Sequence, residues 1–261
     1  MFDPLAFQAL RKGSWGVDLD WQEALSSTQD VLRELARAVS VSAGTVLGAE
    51  SQSAGRGRWG RSWEGQPGQS LLFTLVLPGT DLKGSLSQAP LVLGLGLYQA
   101  LSQLGLQNLG LRWPNDLTAG GKKIAGLLLE QEGSQLLLGL GLNVGQDQTG
   151  FSSELQGRAS SLKLLGCKEL RREPLLALVL EGLEKAWLRW QSEGFELLRR
   201  EWEAAAEGKE GLLEVLPTAG APWKGAWAGL HESGALQLKP ETGAIRLLIS
   251  GEVQRLQFPA A

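Results

Sequence analysis

The spacing of apolar residues changes character several times along this chain, and each change marks an element. Asp18 to Leu25 (DLDWQEAL) has the patterning of a strand and stops at Ser26-Ser27-Thr28-Gln29. From there Val31, Leu32, Leu35, Ala36 and Val39 keep helical spacing, with Ser27 or Thr28 placed to cap the helix. A strand is predicted from Thr45 to Glu50. The run QSLLFTLVLP at 69–78 has so few polar breaks that it reads as a strand buried on both faces. Leu86 to Leu104 reads as a helix. Leu109 to Trp113 reads as a strand running into Pro114, and a turn holding Asn115, Asp116, Lys122 and Lys123 leads to a strand from Ile124 to Gln131. Gln135 to Val144 makes another buried strand, with Asn143 near its end. The first sixteen residues are weakly patterned and are placed on the surface.

Two amphipathic helices follow, Glu173 to about Ser192 and Gly194 to about Ala206, the first with Leu176, Leu180, Leu183 and Trp187 on one stripe. Trp187, Trp190 and Trp202 are read as packing tryptophans. After AAAEGKEG the texture changes, and from Gly211 short apolar runs alternate with turn signals such as PTAGAP, HESGAL and ETGAI. That spacing suits a small all-β barrel of about fifty residues. The chain is therefore divided into residues 1–207 and 208–261, with no internal repeat.

Composition narrows the classes. With 43% hydrophobic and 20% charged residues, 261 residues are enough to bury a large core. The net charge of −3 and a pI near 5.4 argue against a nucleic-acid binder, whose basic footprint is absent here except locally. One cysteine, Cys167, excludes an internal disulfide and is read as a small buried residue in a reducing compartment. The single histidine, His231, lies in a turn, so histidine-based metal clusters and Ser-His or Cys-His mechanisms have little support. MFDPLAFQALRK does not have the form of a signal peptide, and the most apolar window, Pro90 to Leu106, is broken by Gln99, Ser102 and Gln103. A cytoplasmic protein without membrane partners is expected.

The densest chemistry lies at 49–63, AESQSAGRGRWGRSW. Gly55, Gly57 and Gly60 alternate with Arg56, Arg58 and Arg61, and Trp59 and Trp63 are set among them. Glycines let the backbone approach a ligand, and guanidinium groups are forked donors for phosphate or carboxylate. Such a stretch reads as a ligand-binding loop, with a bland surface loop as the alternative. Gly55-Arg-Gly57-Arg-Trp-Gly60 formally matches a dinucleotide fingerprint, but RSWEGQPGQS after it cannot open the required helix. GGKK at 120–123 is not a Walker A loop, because Asp116 stands where its first glycine belongs and Lys123 where Ser or Thr belongs.

Six segments in order carry a specific resemblance. Ser-Ser-Thr-Gln at 26–29, AESQSAGRGRWGRSW at 49–63, RWPNDL at 112–117, KKIAGLLLE at 122–130, GLGLNV at 139–144 and GEVQRL at 251–256 resemble the biotin protein ligases. The likeness covers nearly the whole chain and is to the shorter class, without a DNA-binding repressor domain. Two departures are mild: Gln29 stands where Asn is more usual, and Trp59 where a further Arg is common. The resemblance implies an α+β fold, a mixed sheet with flanking helices related to class II aminoacyl-tRNA synthetases and lipoate ligases, followed by a C-terminal SH3-like barrel. It implies joining of the biotin carboxylate to ATP, with Mg²⁺, to give biotinyl-AMP. Transfer to a lysine of a biotin carboxyl carrier protein follows, and a homodimer is one expected assembly.

The same resemblance assigns residues. Lys123, Arg58 and Asp116 are the expected catalytic groups, with Lys123 at the biotin carboxylate and α-phosphate and Asp116 near the incoming lysine amine. Ser27, Thr28, Gln52, Gly55, Arg56, Arg58, Trp63, Lys123 and Gly126 are expected to bind biotin. Arg56, Arg58, Arg61, Asn115, Lys123 and Asn143 are expected to bind ATP or the adenylate, with Asn115 on the phosphate and Mg²⁺ side. Two other classes stay open. A lipoate ligase shares the fold and chemistry, though its motifs differ from GRGRWGRSW and RWPND. A non-catalytic biotin or nucleotide sensor need not keep Lys123 and Asp116, and both are present here.

Overall fold

The strand-forming runs assemble into two sheets in the computed structural model, which describes residues 1–79 and 82–257. Helix α1 (Pro4–Leu10) precedes β1 (Leu19–Leu25), α2 (Thr28–Ala38), β2 (Val46–Gln52) and β3 (Ser70–Pro78). Helix α3 (Ala89–Ser102) leads to β4 (Leu109–Arg112), β5 (Asp116–Ala119), β6 (Lys122–Glu132) and β7 (Gln135–Asn143). These strands form a seven-stranded mixed sheet in the order β1-β2-β3-β7-β6-β5-β4. Only β1 and β2 pair in parallel, joined by α2 as the crossover; every other pair is antiparallel. Helices α4 (Arg172–Glu193) and α5 (Phe195–Ala204) follow. A second, antiparallel sheet then has the order β11-β10-β9-β8-β12, from β8 (Leu212–Pro217), β9 (Trp223–Leu230), β10 (Leu236–Lys239), β11 (Arg246–Leu248) and β12 (Gly251–Gln257). The last four residues of the predicted barrel, 258–261, lie outside the described residues.

The two faces of the large sheet are covered unequally. Leu136, Leu138, Leu140 and Leu142 of β7 all enter the main core, which α3 and α4 cover. Leu137 belongs to a smaller cluster with Leu47, Val76 and Leu32 beneath α2. The period-2 alternation of a strand thus sends the glycines of GLGLN to the α2 face. Helix α2 is too short to cover that face, so glycine-lined sheet is left open beside it. On the other face α3 and α4 cross closely: a Cβ at Gly96 would lie 2.6 Å from the Gly182 carbonyl oxygen, so a side chain there would push the helices apart.

Three expectations need correction. The first sixteen residues are not a surface segment: Phe2, Phe7 and Trp15 are at most 5% exposed, and Phe2 stacks on Trp21 at 3.8 Å between ring centroids. These aromatics are too widely spaced to register as a period, yet each fills a gap against α4 or β1. Arg172 of α4 pairs with Glu50 at 2.7 Å, and Glu50 also accepts the Phe2 N–H at 2.7 Å. The turn after Pro114 does not hold all four of Asn115, Asp116, Lys122 and Lys123. Asp116 begins β5, Lys122 begins β6, and the turn between these strands is Gly120-Gly121, both at positive φ. Cys167 is only partly buried. The expected packing roles hold for Trp187, Trp190 and Trp202, none more than 3% exposed.

Candidate active site

A cleft of about 750 Å³ opens on the uncovered half of the α2 face. Gly126 of β6 and Gly141 of β7 are register partners and form part of its floor. Trp63 lies flat on this pair. A Cβ at Gly141 would run into the Trp63 indole, and one at Gly126 would lie 3.1 Å from it. Glycine at both positions is therefore what lets the ring reach the sheet. The Trp63 Nε1 is buried without a hydrogen-bond partner.

The glycine-arginine stretch is ordered as a small hairpin. Trp63 N–H donates to the Gly55 carbonyl at 2.9 Å, Gly57 N–H to the Arg61 carbonyl at 2.7 Å, and Arg56 bridges Ser62 in antiparallel fashion. A Cβ at Gly55 would sit 2.7 Å from the Trp63 carbonyl oxygen, so the crossing needs glycine. At the tip Trp59 adopts φ 58° and Gly60 φ 71°, and the Arg58 and Arg61 guanidiniums lie 5.0 and 5.5 Å from the Trp59 ring. Trp59 is 41% exposed, so it shapes the tip from outside the core.

The second sheet holds this hairpin in place. Arg58 donates to the Asn115 Oδ1 at 3.2 Å and to the Gly251 carbonyl of β12 at 3.0 Å. Arg61 forms an ion pair with Glu252 of β12 at 2.6 Å. Burial lowers the Arg58 pKa from its ordinary value, against the opposing pull of Asp116, whereas the hydrogen bond to Glu252 raises that of Arg61. A buried guanidinium short of counter-charge favours an incoming anion.

Across the cleft, Lys123 of β6 reaches the Asp116 Oδ1 at 2.7 Å and stands 5.5 Å from the Trp63 ring centroid. Its backbone is clamped by the segment after β7: Lys123 N–H donates to the Arg158 carbonyl, and its own carbonyl accepts from Ser160 N–H. Asn115 is held on β6, donating to the Leu127 carbonyl at 2.5 Å. Asn143 donates to the Ser160 carbonyl and accepts from Gln146, so its amide ties two segments at the cleft wall. At the far end, Ser27 caps α2 and the Gln52 Oε1 accepts both the Thr28 N–H, at 2.7 Å, and the Thr28 hydroxyl, at 3.1 Å.

Every expected site residue except Gly55 lines this cleft, and Gly55 lies in the hairpin that roofs it. Arg56 differs from its neighbours in that its guanidinium is already paired with Asp30 at 2.8 Å and Glu130 at 3.2 Å. Sequence reasoning assigned no role to Glu252, Gly139 or Gly141. The alternation in GLGLN was a usable signal for the glycines, whereas GEVQRL marks the segment of Glu252 without showing which residue it meets. Among the described residues, no group of three or more His, Cys, Asp or Glu is arranged to hold a metal, and no helix is long and apolar enough to cross a membrane.

Comparison with known proteins gives this geometry a family. The profile of the Biotin/lipoate A/B protein ligase family matches residues 21–147, the segment from β1 to just beyond β7. The chain is 32% identical over 228 residues to the biotin–[acetyl-CoA-carboxylase] ligase of Paracoccus denitrificans, covering 83% of this chain and 92% of that protein. The chain belongs to the biotin protein ligase family. A second such ligase, from Mycobacterium tuberculosis, is 31% identical over 204 residues, spanning 74% of this chain and 75% of that protein. The structure of the Aquifex aeolicus biotin protein ligase in complex with biotin and ATP superposes with a TM-score of 0.81 and 32% identity, over 92% of this chain and all of that one. Biotin protein ligases thus share this mixed sheet and its flanking helices.

Proposed function

We infer that this chain is an ATP-dependent biotin protein ligase, which activates biotin as biotinyl-5'-AMP and transfers it to a lysine of a biotin carboxyl carrier protein. One observation carries the reading of the site: in a single cleft, Lys123, Arg58 and Arg61 stand opposite the polar group of Thr28 and Gln52. That layout suits an uncharged polar ring bound at one end and a carboxylate meeting a triphosphate at the other.

In the first step a carboxylate oxygen attacks the α-phosphorus and pyrophosphate leaves. Two anionic groups, the carboxylate and the triphosphate, must approach, so fixed cations matter most where charge builds up. We assign Lys123 to the reacting carboxylate and α-phosphate, and Arg58 and Arg61 to the phosphates. Ser27, Thr28, Gln52 and the Gly55–Arg58 segment hold the ring and chain of biotin, with Gly126 seating the Trp63 ring beside them. Asn143 and its neighbours border the base. Mg²⁺ would enter with ATP as part of the substrate and would offset phosphate charge, with Asn115 on that side of the site. In the second step the carrier lysine's amine attacks the acyl carbon, AMP leaves, and the amine's proton is lost. Asp116, already paired with the Lys123 ammonium, is assigned to orient the incoming amine or to help take its proton. A mixed anhydride hydrolyses when water reaches it, and Trp63 with its hairpin is assigned to exclude water.

The same reading divides the chain at residue 207, makes 208–261 an SH3-like barrel, and takes the protein as cytoplasmic, able to pair as a homodimer, and without specific DNA or membrane binding. The five antiparallel strands support the barrel, and the pI near 5.4 supports the absence of specific DNA binding. Light scattering reports the assembly, and sequence-specific, salt-resistant DNA binding would count against the reading. The deciding experiment is biotin-dependent exchange of pyrophosphate into ATP, with mass spectrometry for biotinyl-AMP. Exchange supported by lipoate or octanoate and not by biotin would transfer the chain to the lipoate branch.

A further inference from the structure

The two ends of the cleft are joined by an unbroken line of hydrogen bonds. Glu130 of β6 lies on the α2 face and accepts from three side chains: Arg56 Nη2 at 3.2 Å, Gln29 Nε2 at 2.9 Å, and Arg33. Asp30 accepts from Arg56 Nη1 at 2.8 Å and Arg33 Nη1 at 2.9 Å. Gln29 is 3% exposed; it also donates to the Leu137 carbonyl, and its Oε1 accepts from the Thr74 hydroxyl at 3.1 Å. The fully buried Thr74 hydroxyl lies 2.9 Å from that of Thr28, whose backbone N–H donates to the Gln52 Oε1 at 2.7 Å.

We propose that Glu130 is a positioning residue for biotin activation: through Arg56 it fixes the root of the hairpin, and through Gln29 and Thr74 it fixes Thr28 and Gln52. The ring-binding end and the closing loop then order as one unit. The inference rests on the ligase reading above.

Charge balance separates Arg56 from Arg58. Two guanidiniums, Arg33 and Arg56, face two carboxylates, Asp30 and Glu130, so the cluster is neutral and has no net attraction for phosphate. Arg58 instead donates to the uncharged Asn115 side chain and the Gly251 carbonyl, while Arg61 has one carboxylate of its own in Glu252. The departure at position 29 also gains a reason. An amide must span from Thr74 to Glu130, and the extra methylene of glutamine over the more usual asparagine supplies that reach.

The test uses the whole chain with Glu130→Gln and Gln29→Asn, and Lys122→Met as a control. Calorimetry gives biotin affinity, pyrophosphate exchange gives KM for biotin and for ATP separately from kcat, and hydrogen exchange reports residues 53–63 with biotin bound. Glu130→Gln is expected to weaken biotin binding roughly ten- to a hundredfold, as for loss of hydrogen bonds to a charged acceptor. Gln29→Asn should move it in the same direction by less. With biotin saturating, kcat should stay within about twofold, since ligand then holds the unit together. The hairpin should exchange faster in both variants and not in Lys122→Met. Unchanged biotin affinity, or a loss falling on kcat or the KM for ATP, would overturn the proposal. Absence of biotin binding by the wild type would instead sink the ligase reading itself.

Discussion

Replacing Lys123 by methionine removes a charge while keeping most of the side chain's length, and its two consequences are separable. The first is catalytic. Lys123 is assigned to charge that builds between carboxylate and α-phosphate, so it acts in the transition state more than on bound biotin. Losing one such contact costs about 3–4 kcal/mol, or roughly a hundred- to a thousandfold in the rate of adenylate formation. The second is structural. The side chain of Asp116 is 13% exposed, and its Oδ1 has Lys123 as its ion-pair partner and no other hydrogen bond. Orphaning a buried carboxylate oxygen costs about 1–3 kcal/mol. Lys123 itself is 35% exposed, so solvent screens the pair and the low end applies, a fall in Tm of roughly 3 °C for each kcal/mol in a chain of this size. Adding Asp116→Asn to Lys123→Met should recover the Tm, because the amide no longer needs a cation, without recovering the rate. Single-turnover adenylate formation, biotin calorimetry and thermal melts on wild type, Lys122→Met, Lys123→Met and the double variant make the measurement. Near-normal adenylation by Lys123→Met, or a larger loss from Lys122→Met, would place the catalytic cation elsewhere.

Three further outcomes are expected. Residues 53–63 should exchange hydrogen quickly without ligand and become protected when biotinyl-AMP binds, because ordering three glycines is entropically costly; exchange equally slow in both states would refute a closing role. Gly141→Ala places a methyl group where the Trp63 indole lies, so the ring cannot seat and preformed biotinyl-AMP should be lost to hydrolysis sooner; unchanged retention would show that Trp63 is not the seal. The Glu50 carboxylate is raised by burial but lowered further by Arg172, the Phe2 N–H and Trp21, leaving it below its ordinary 4.5. A depressed folded-state pKa stabilises the fold fully above the unfolded value, and that stability fades as the pH falls from about 4.5 toward the folded value. Chemical denaturation should therefore show a gap between wild type and Glu50→Gln that narrows through this range; a gap independent of pH would mean that the ion pair is not its source.

Much of this molecule is legible in local sequence. The strand at 69–78, the helix at 28–38 and the paired helices of 172–204 follow from periodicity, because an element with one buried face writes its period into its own residues. Glycine and arginine density marks the hairpin because only glycine permits its close crossings and only a ligand or a partner justifies so much fixed charge. What the chain does not write locally is who meets whom. Phe2, Phe7 and Trp15 look like surface residues until α4 and β1 close on them. Strand β5 is four residues long, and it exists because β4 and β6 flank it. Arg56 and Arg58 are two positions apart and indistinguishable by type, yet one is neutralised by Asp30 and Glu130 while the other meets the uncharged Asn115 side chain and the Gly251 carbonyl. Arg61 meets Glu252 across 191 residues of chain. Such pairings depend on register and on the packing of one sheet against another, which are settled only when distant segments exclude water together. The residue types needed for the chemistry are therefore present in the sequence, and the tertiary structure decides which partner each cation meets.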